Sequence, residues 1–129
     1  MDFLSYVLGT RGFHFFKDDE KLEGGKPIKP ELLKAIEESR FAVVILSENY
    51  AYSTWCLDEL VKIIDCEKDK GMTVLPIFYN VDPSDVRKQT GTFAKAFDEH
   101  EKQLKEKVGR WREALYHVAG IVGYPVKNR

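Results

Sequence analysis

The chain has 129 residues, enough for one domain around one core, and its 43% hydrophobic and 32% charged residues exclude a disordered polymer. Its 20 basic and 21 acidic side chains leave a net charge of −1, which excludes a broad electrostatic grip on nucleic acid or anionic lipid. With no apolar run long enough to cross a bilayer, no signal-peptide pattern at the N-terminus, and only Cys56 and Cys66 as cysteines, the composition points to reduced thiols in the cytoplasm, with the nucleus as a further compartment.

In chain order, Phe3, Leu4, Val7 and Leu8 fall at helical spacing, so the first element is expected as a helix that ends near Gly9 and Gly12. "FHFF" (13–16) is β-prone and runs into "KDDEKLEGGKPIKP", a polar loop with two glycines and two prolines. "ELLKAIEES" sets Leu32, Leu33 and Ile36 on one helical face. "FAVVILS" (41–47) is a continuous apolar, β-branched run, which predicts a strand covered on both faces in a parallel sheet. A helix capped by Ser53 follows, with Leu57, Leu60, Val61 and Ile64 at i, i+3, i+4 and i+7. "TVLPIFY" (73–79) is the next strand, although Pro76 counts against full pairing at its centre. "NVDPSDVRKQTG" reads as a loop. Phe93, Phe97, His100 and Leu104 line one helix, and Val108, Trp111, Leu115, Val118 and Val122 line a last one. "GYPV" (123–126) reads as a short edge strand.

Alternating strands and helices predict right-handed crossovers and a doubly wound α/β sheet, with ligands beyond the carboxyl ends of the strands. The polar loops at those ends include "ENYAYSTWC", and Glu59 lies just past it. Glu59 is off the Leu57/Leu60/Val61/Ile64 stripe and shares a second stripe with Cys56 and Ile63, which suggests a partly covered groove. Pattern alone still favours an ordinary exposed helix glutamate, whose removal would leave folding nearly untouched, and a solvated Asp58. Asp18 and Asp19 are a weak match to an acidic phospho-acceptor pair, because the strand that should supply the third acid ends in Ser47. Lys26 in "EGGK" is followed by Pro27, outside phosphate-loop spacing. His14, His100 and His117 have no metal spacing and read as structural or surface residues, so no metal site is expected.

"GFHFFKDDEKLEGG", "ELLKAIEESRFAVVILSENYAYSTWCLDEL", "VLPIFYNVDPSDVRKQTGTFAKAFDEHE" and "WREALYHVAGIVGY" together resemble a plant-type TIR (Toll/interleukin-1 receptor/resistance protein) domain over residues 3–125. The resemblance implies a flavodoxin-like, five-stranded parallel sheet in a single domain spanning 1–129. It implies an immune-signalling module that self-associates, pairs with other TIR domains, and cleaves NAD+ to nicotinamide and ADP-ribose-type products. NAD+ enters as substrate, and no cofactor is implied. Some members of the family also act on nucleic acid, a partner that the charge does not indicate. Glu59 matches the catalytic glutamate, Trp55 and Cys56 match the motif beside it, and Gly24 and Gly25 match the loop that rearranges over substrate. The alternative is an inactive module that works by TIR pairing alone. Self-association is expected through the first and last helices, with Arg112 and His117 at the contact.

The family's first, central strand precedes its first helix, and this chain aligns from inside that helix, so the strand is expected to be absent. A sheet without its central strand leaves rows of unpaired backbone groups at about 1–3 kcal/mol each. Completion is therefore expected from residues beyond the chain, from a strand of another chain, or from the first ten residues folding into the gap.

Overall fold

The described residues of the computed structural model are 4–9, 12–17 and 30–126. Two strands come first, β1 (Leu4–Gly9) and β2 (Gly12–Lys17). Then follow α1 (Pro30–Glu37), β3 (Ser39–Leu46), a 3-10 turn (Tyr50–Tyr52), α2 (Thr54–Lys70) and β4 (Thr73–Tyr79). The chain ends in α3 (Pro83–Lys88), α4 (Thr92–Gln103), α5 (Lys105–Ala119) and β5 (Tyr124–Val126).

The five strands form one sheet in the order β2-β1-β3-β4-β5. This is the flavodoxin-like order, with its reversal between β1 and β3. The pairs β3–β4 and β4–β5 are parallel. β1 is antiparallel to both β2 and β3, so it alone runs against the other four. The sheet is thus mixed rather than wholly parallel.

The helix expected over residues 3–8 is corrected, within the described residues, to the strand Leu4–Gly9. Its apolar residues fit helical spacing, but the central gap in the sheet offers a strand two sets of ladder bonds at once. Val7 pairs with both His14 and Ala42. Direction follows from length: two residues separate β1 from β2, and a parallel pair would need a crossover of about a dozen or more. Of the three expected ways to complete the sheet, the chain's own first residues fill the slot.

β3 and β4 alternate in burial. Ala42, Val44 and Leu46 are fully buried and Val43 and Ile45 half-buried, so the strand expected to be covered on both faces is sealed on one. Pro76 pairs with Val44 across β3–β4, while β5 pairs only with residues from Ile77 onward, so the proline lies just outside the β5 ladder. The chain passes close here: a Cβ on Gly123 would sit 2.3 Å from the Pro76 carbonyl oxygen, so only glycine fits.

Helix boundaries follow local chemistry. Ser53 Oγ accepts from the Cys56 amide at 3.1 Å and starts α2, as its sequence position predicts. α2 stops at Gly71, which takes a left-handed φ of 73°. Asp82 Oδ1 accepts from the Ser84 amide at 2.8 Å with Pro83 behind it, starting α3 inside the segment expected as loop. Leu104 ends α4 instead of continuing it, and α5 closes at Ala119, leaving Val122 91% exposed rather than on a helical core face. Trp111, Leu115 and Val118 of α5, Phe93 and Phe97 of α4, and Leu57, Leu60 and Ile64 of α2 form the core with the buried face of β3.

Candidate active site

The carboxyl end of β3 delivers the chain through Ser47 to the 3-10 turn and into α2, and Glu59 follows in the second turn of that helix. Glu59 is 2% exposed. The exposed position that pattern alone favours is therefore corrected, and so is the expectation that its loss would be a mere surface change. The second stripe explains why: Cys56, Glu59 and Ile63 are all buried, alongside Leu57, Leu60 and Ile64. α2 is covered on two sides, and the acid lies on the second. A carboxylate so enclosed is rare without a function or firm partners.

Trp55 and Cys56 precede Glu59 by four and three residues, so the helix brings all three onto one side. Trp55 is half-buried against the core, and Cys56 is buried. The Tyr50 hydroxyl donates to the Cys56 carbonyl at 3.1 Å, securing the 3-10 turn to the first turn of α2. Gly24 and Gly25, with Asp18, Asp19 and the rest of the 18–29 loop, lie outside the described residues.

Asp58 is not solvated as expected. Trp111 Nε1 donates to its Oδ1 at 2.9 Å, and Lys107 Nζ lies 3.6 Å from its Oδ2, both from α5. His100 of α4 is buried, with Nε2 2.7 Å from the Ala51 carbonyl and its ring edge-on to Trp111 at 5.1 Å. Thr92 Oγ1 donates to the Glu48 carbonyl, so α4 holds the loop after β3 at a second point. Sequence reasoning left Asp58 and His100 as background, since their partners Trp111, Lys107 and Ala51 lie far away in the chain.

A groove of about 460 Å³ runs past Leu33, Val61, Lys107, Arg110 and Trp111, and Glu59 is not among its lining residues. Both cysteines are buried, and burial pushes the Cys66 thiol above its ordinary pKa. No group of His, Cys, Asp and Glu among the described residues is placed to hold a metal.

The model of the TIR domain family matches residues 2–129. The chain belongs to the TIR domain family. This TIR domain is 56% identical over 130 residues to disease resistance protein RUN1 of Vitis rotundifolia, covering 98% of the chain. It is 55% identical over 120 residues to TMV resistance protein N of Nicotiana glutinosa, covering 91% of the chain. It spans 10% of the length of each of these relatives. Among solved structures, the TIR domains of the activated Roq1 resistosome, which directly recognises the pathogen effector XopQ, superpose with a TM-score of 0.75 at 54% identity. That match covers 90% of this chain and 72% of the other. No described helix is long and apolar enough to cross a membrane.

Proposed function

We propose that this TIR domain is an immune-signalling module that self-associates and, in the assembled state, cleaves NAD+ to nicotinamide and ADP-ribose-type products, with Glu59 as the catalytic carboxylate. The observation that carries the reading is the burial of Glu59 beyond the carboxyl end of β3, beside Trp55 and Cys56. The disease resistance relatives support the signalling role, and the assembled TIR domains of the Roq1 resistosome support association.

The bond to nicotinamide breaks through an oxocarbenium-like ribose, and nicotinamide leaves as a neutral ring, so no strong general acid is required. A fixed carboxylate at the ribose holds its hydroxyls and stabilises the growing positive charge. Trp55 is assigned to the pocket wall, and Cys56, buried in the core, to packing. Glycines 24 and 25 belong to the loop assigned to substrate closure. NAD+ is the substrate, and no further cofactor is assigned. Cytoplasm is the proposed compartment, with the nucleus second.

Glu59 is covered in the single chain, so substrate reaches it only after a rearrangement. This favours activation by assembly. It also supports a second reading, in which the domain pairs with other TIR domains and never turns over NAD+. Nicotinamide release measured by chromatography over a range of protein concentrations separates the two. Release rising more steeply than concentration, and lost in Glu59→Gln, supports the enzyme. Association without any nicotinamide release supports the pairing module.

A further inference from the structure

We infer that Trp111, acting through Asp58, is a positioning residue that sets the direction of the Glu59 carboxylate. The inference rests on the catalytic reading of Glu59, but its geometry is independent of that reading. Asp58 and Glu59 are consecutive on α2, and successive helical side chains point about 100° apart. Fixing one therefore fixes the rotation of the other about the helix axis. α5 fixes Asp58 by the Trp111 Nε1 bond to Oδ1 at 2.9 Å and by Lys107 at 3.6 Å from Oδ2. The indole is itself held, being buried and edge-on to His100.

A second contact sets where the chain enters the helix. His100 Nε2 bonds the Ala51 carbonyl at 2.7 Å, in the 3-10 turn just before α2. One aromatic pair from α4 and α5 thus controls both the entry point of α2 and its azimuth. A buried indole N–H needs an acceptor of some kind. Here the acceptor is the residue next to the candidate catalytic acid, on a helix whose other bonds to α5 lie further along, at Asp65 and Glu67.

Trp111→Phe keeps an aromatic ring and removes the donor together with part of a buried indole, so Asp58→Ala, which leaves the indole in place, is read beside it. Asp58→Ala removes the acceptor, and Asp58→Asn keeps an acceptor oxygen without the charge. Misplacing a reacting group by about 1 Å can cost roughly 100-fold, so Trp111→Phe and Asp58→Ala are expected to lower kcat per folded molecule by about tenfold or more. KM is expected to move less than kcat, because the charge on ribose that Glu59 stabilises exists only in the transition state, whereas the hydroxyls it holds are present in bound substrate as well. Asp58→Asn should restore most of kcat. In parallel, the 13C carboxyl resonance of Glu59, assigned by its loss in Glu59→Gln, should move in Trp111→Phe and Asp58→Ala and return towards its wild-type position in Asp58→Asn.

Wild-type kcat in folded Trp111→Phe, or an unmoved Glu59 resonance, overturns the inference. So does an Asp58→Asn protein that behaves like Asp58→Ala, since the lost charge rather than the bond would then be responsible. If the wild-type chain releases no nicotinamide under any condition, the catalytic reading falls, and the Glu59 resonance alone still decides the positioning.

Discussion

His117 Nε2 and Glu67 Oε1 lie 2.5 Å apart, joining the end of α5 to the later turns of α2 in a half-buried contact. His117 is, with Arg112, one of the two positions expected at the association contact, and its bond to Glu67 gives it a role within the fold as well. His117→Glu sets a carboxylate against Glu67 and removes the bond. It is expected to cost about 1–3 kcal/mol, read as a lower midpoint in a urea melt. An unchanged midpoint would show that the pair contributes nothing.

Arg112 is also committed within the chain. Its Nη1 donates to Gln89 Oε1 at 3.0 Å, Gln89 Nε2 donates to the Arg112 carbonyl at 2.8 Å, and the guanidinium lies 4.5 Å from the Phe97 ring centre. The first helix expected to share the association surface is β1. Tyr116 on α5 is instead 62% exposed. Tyr116→Glu is expected to lower the average mass in light scattering while moving stability by less than about 0.5 kcal/mol. Unchanged association in that variant would remove this part of α5 from the interface.

What could be read from sequence depended on how local the signal was. Ser53 and the Leu57/Leu60/Ile64 face are set by neighbours within a few residues and fold as read, and the β-branched run of β3 forms the expected strand, sealed on one face instead of two. β1 was misread because its residues satisfy two periodicities, and only the vacant slot beside β3, a long-range fact, decides between them. α3 was missed although Asp82-Pro83 is a helix-start signal, since six residues are too few for a periodic face. Glu59 was legible by resemblance and by its stripe with Cys56 and Ile63. Its depth was not, because covering the second side of α2 depends on tertiary packing.

β1 offers a direct test of the sheet. Val7 is paired on both sides, with His14 and Ala42. Val7→Pro removes an N–H from a strand that has no free edge, and proline in the middle of a sheet is found essentially only at edges and bulges. The loss is expected to be about 3 kcal/mol or more, with amide protection falling in Ala42 and Val44 as well as locally. Retained protection in β3 would mean that β1 does not occupy the central slot in solution.

Cys66 ties stability to alkaline pH. Burial raises its pKa first of all; Lys62 and Lys70 oppose the shift, and Glu37 and Asp65 reinforce it. With the folded value above the unfolded one, the unfolded chain loses its thiol proton first as pH rises. The contribution is therefore complete below the unfolded value and is lost as pH climbs through the folded one. Urea midpoints of wild type and Cys66→Ala between neutral and strongly alkaline pH should converge, with the wild-type advantage shrinking as the thiol ionises. Parallel curves would mean that Cys66 does not titrate differently in the two states.

Glu59 joins stability to chemistry, and two substitutions separate them. Glu59→Ala removes a buried side chain and leaves the groups around it without its carboxylate, so a loss of about 1–3 kcal/mol is expected. Glu59→Gln keeps the shape and removes the charge. Burying a charge is costly even when it is partnered, and a buried acid kept for catalysis is a common site of stability traded for function. Glu59→Gln should therefore melt at or above the wild-type temperature in calorimetry while releasing no nicotinamide from NAD+. A stable Glu59→Gln protein that cleaves NAD+ at the wild-type rate would remove Glu59 from the chemistry. A Glu59→Gln protein that melts well below wild type would show that the charge itself holds the fold together, and the acid would then be structural first.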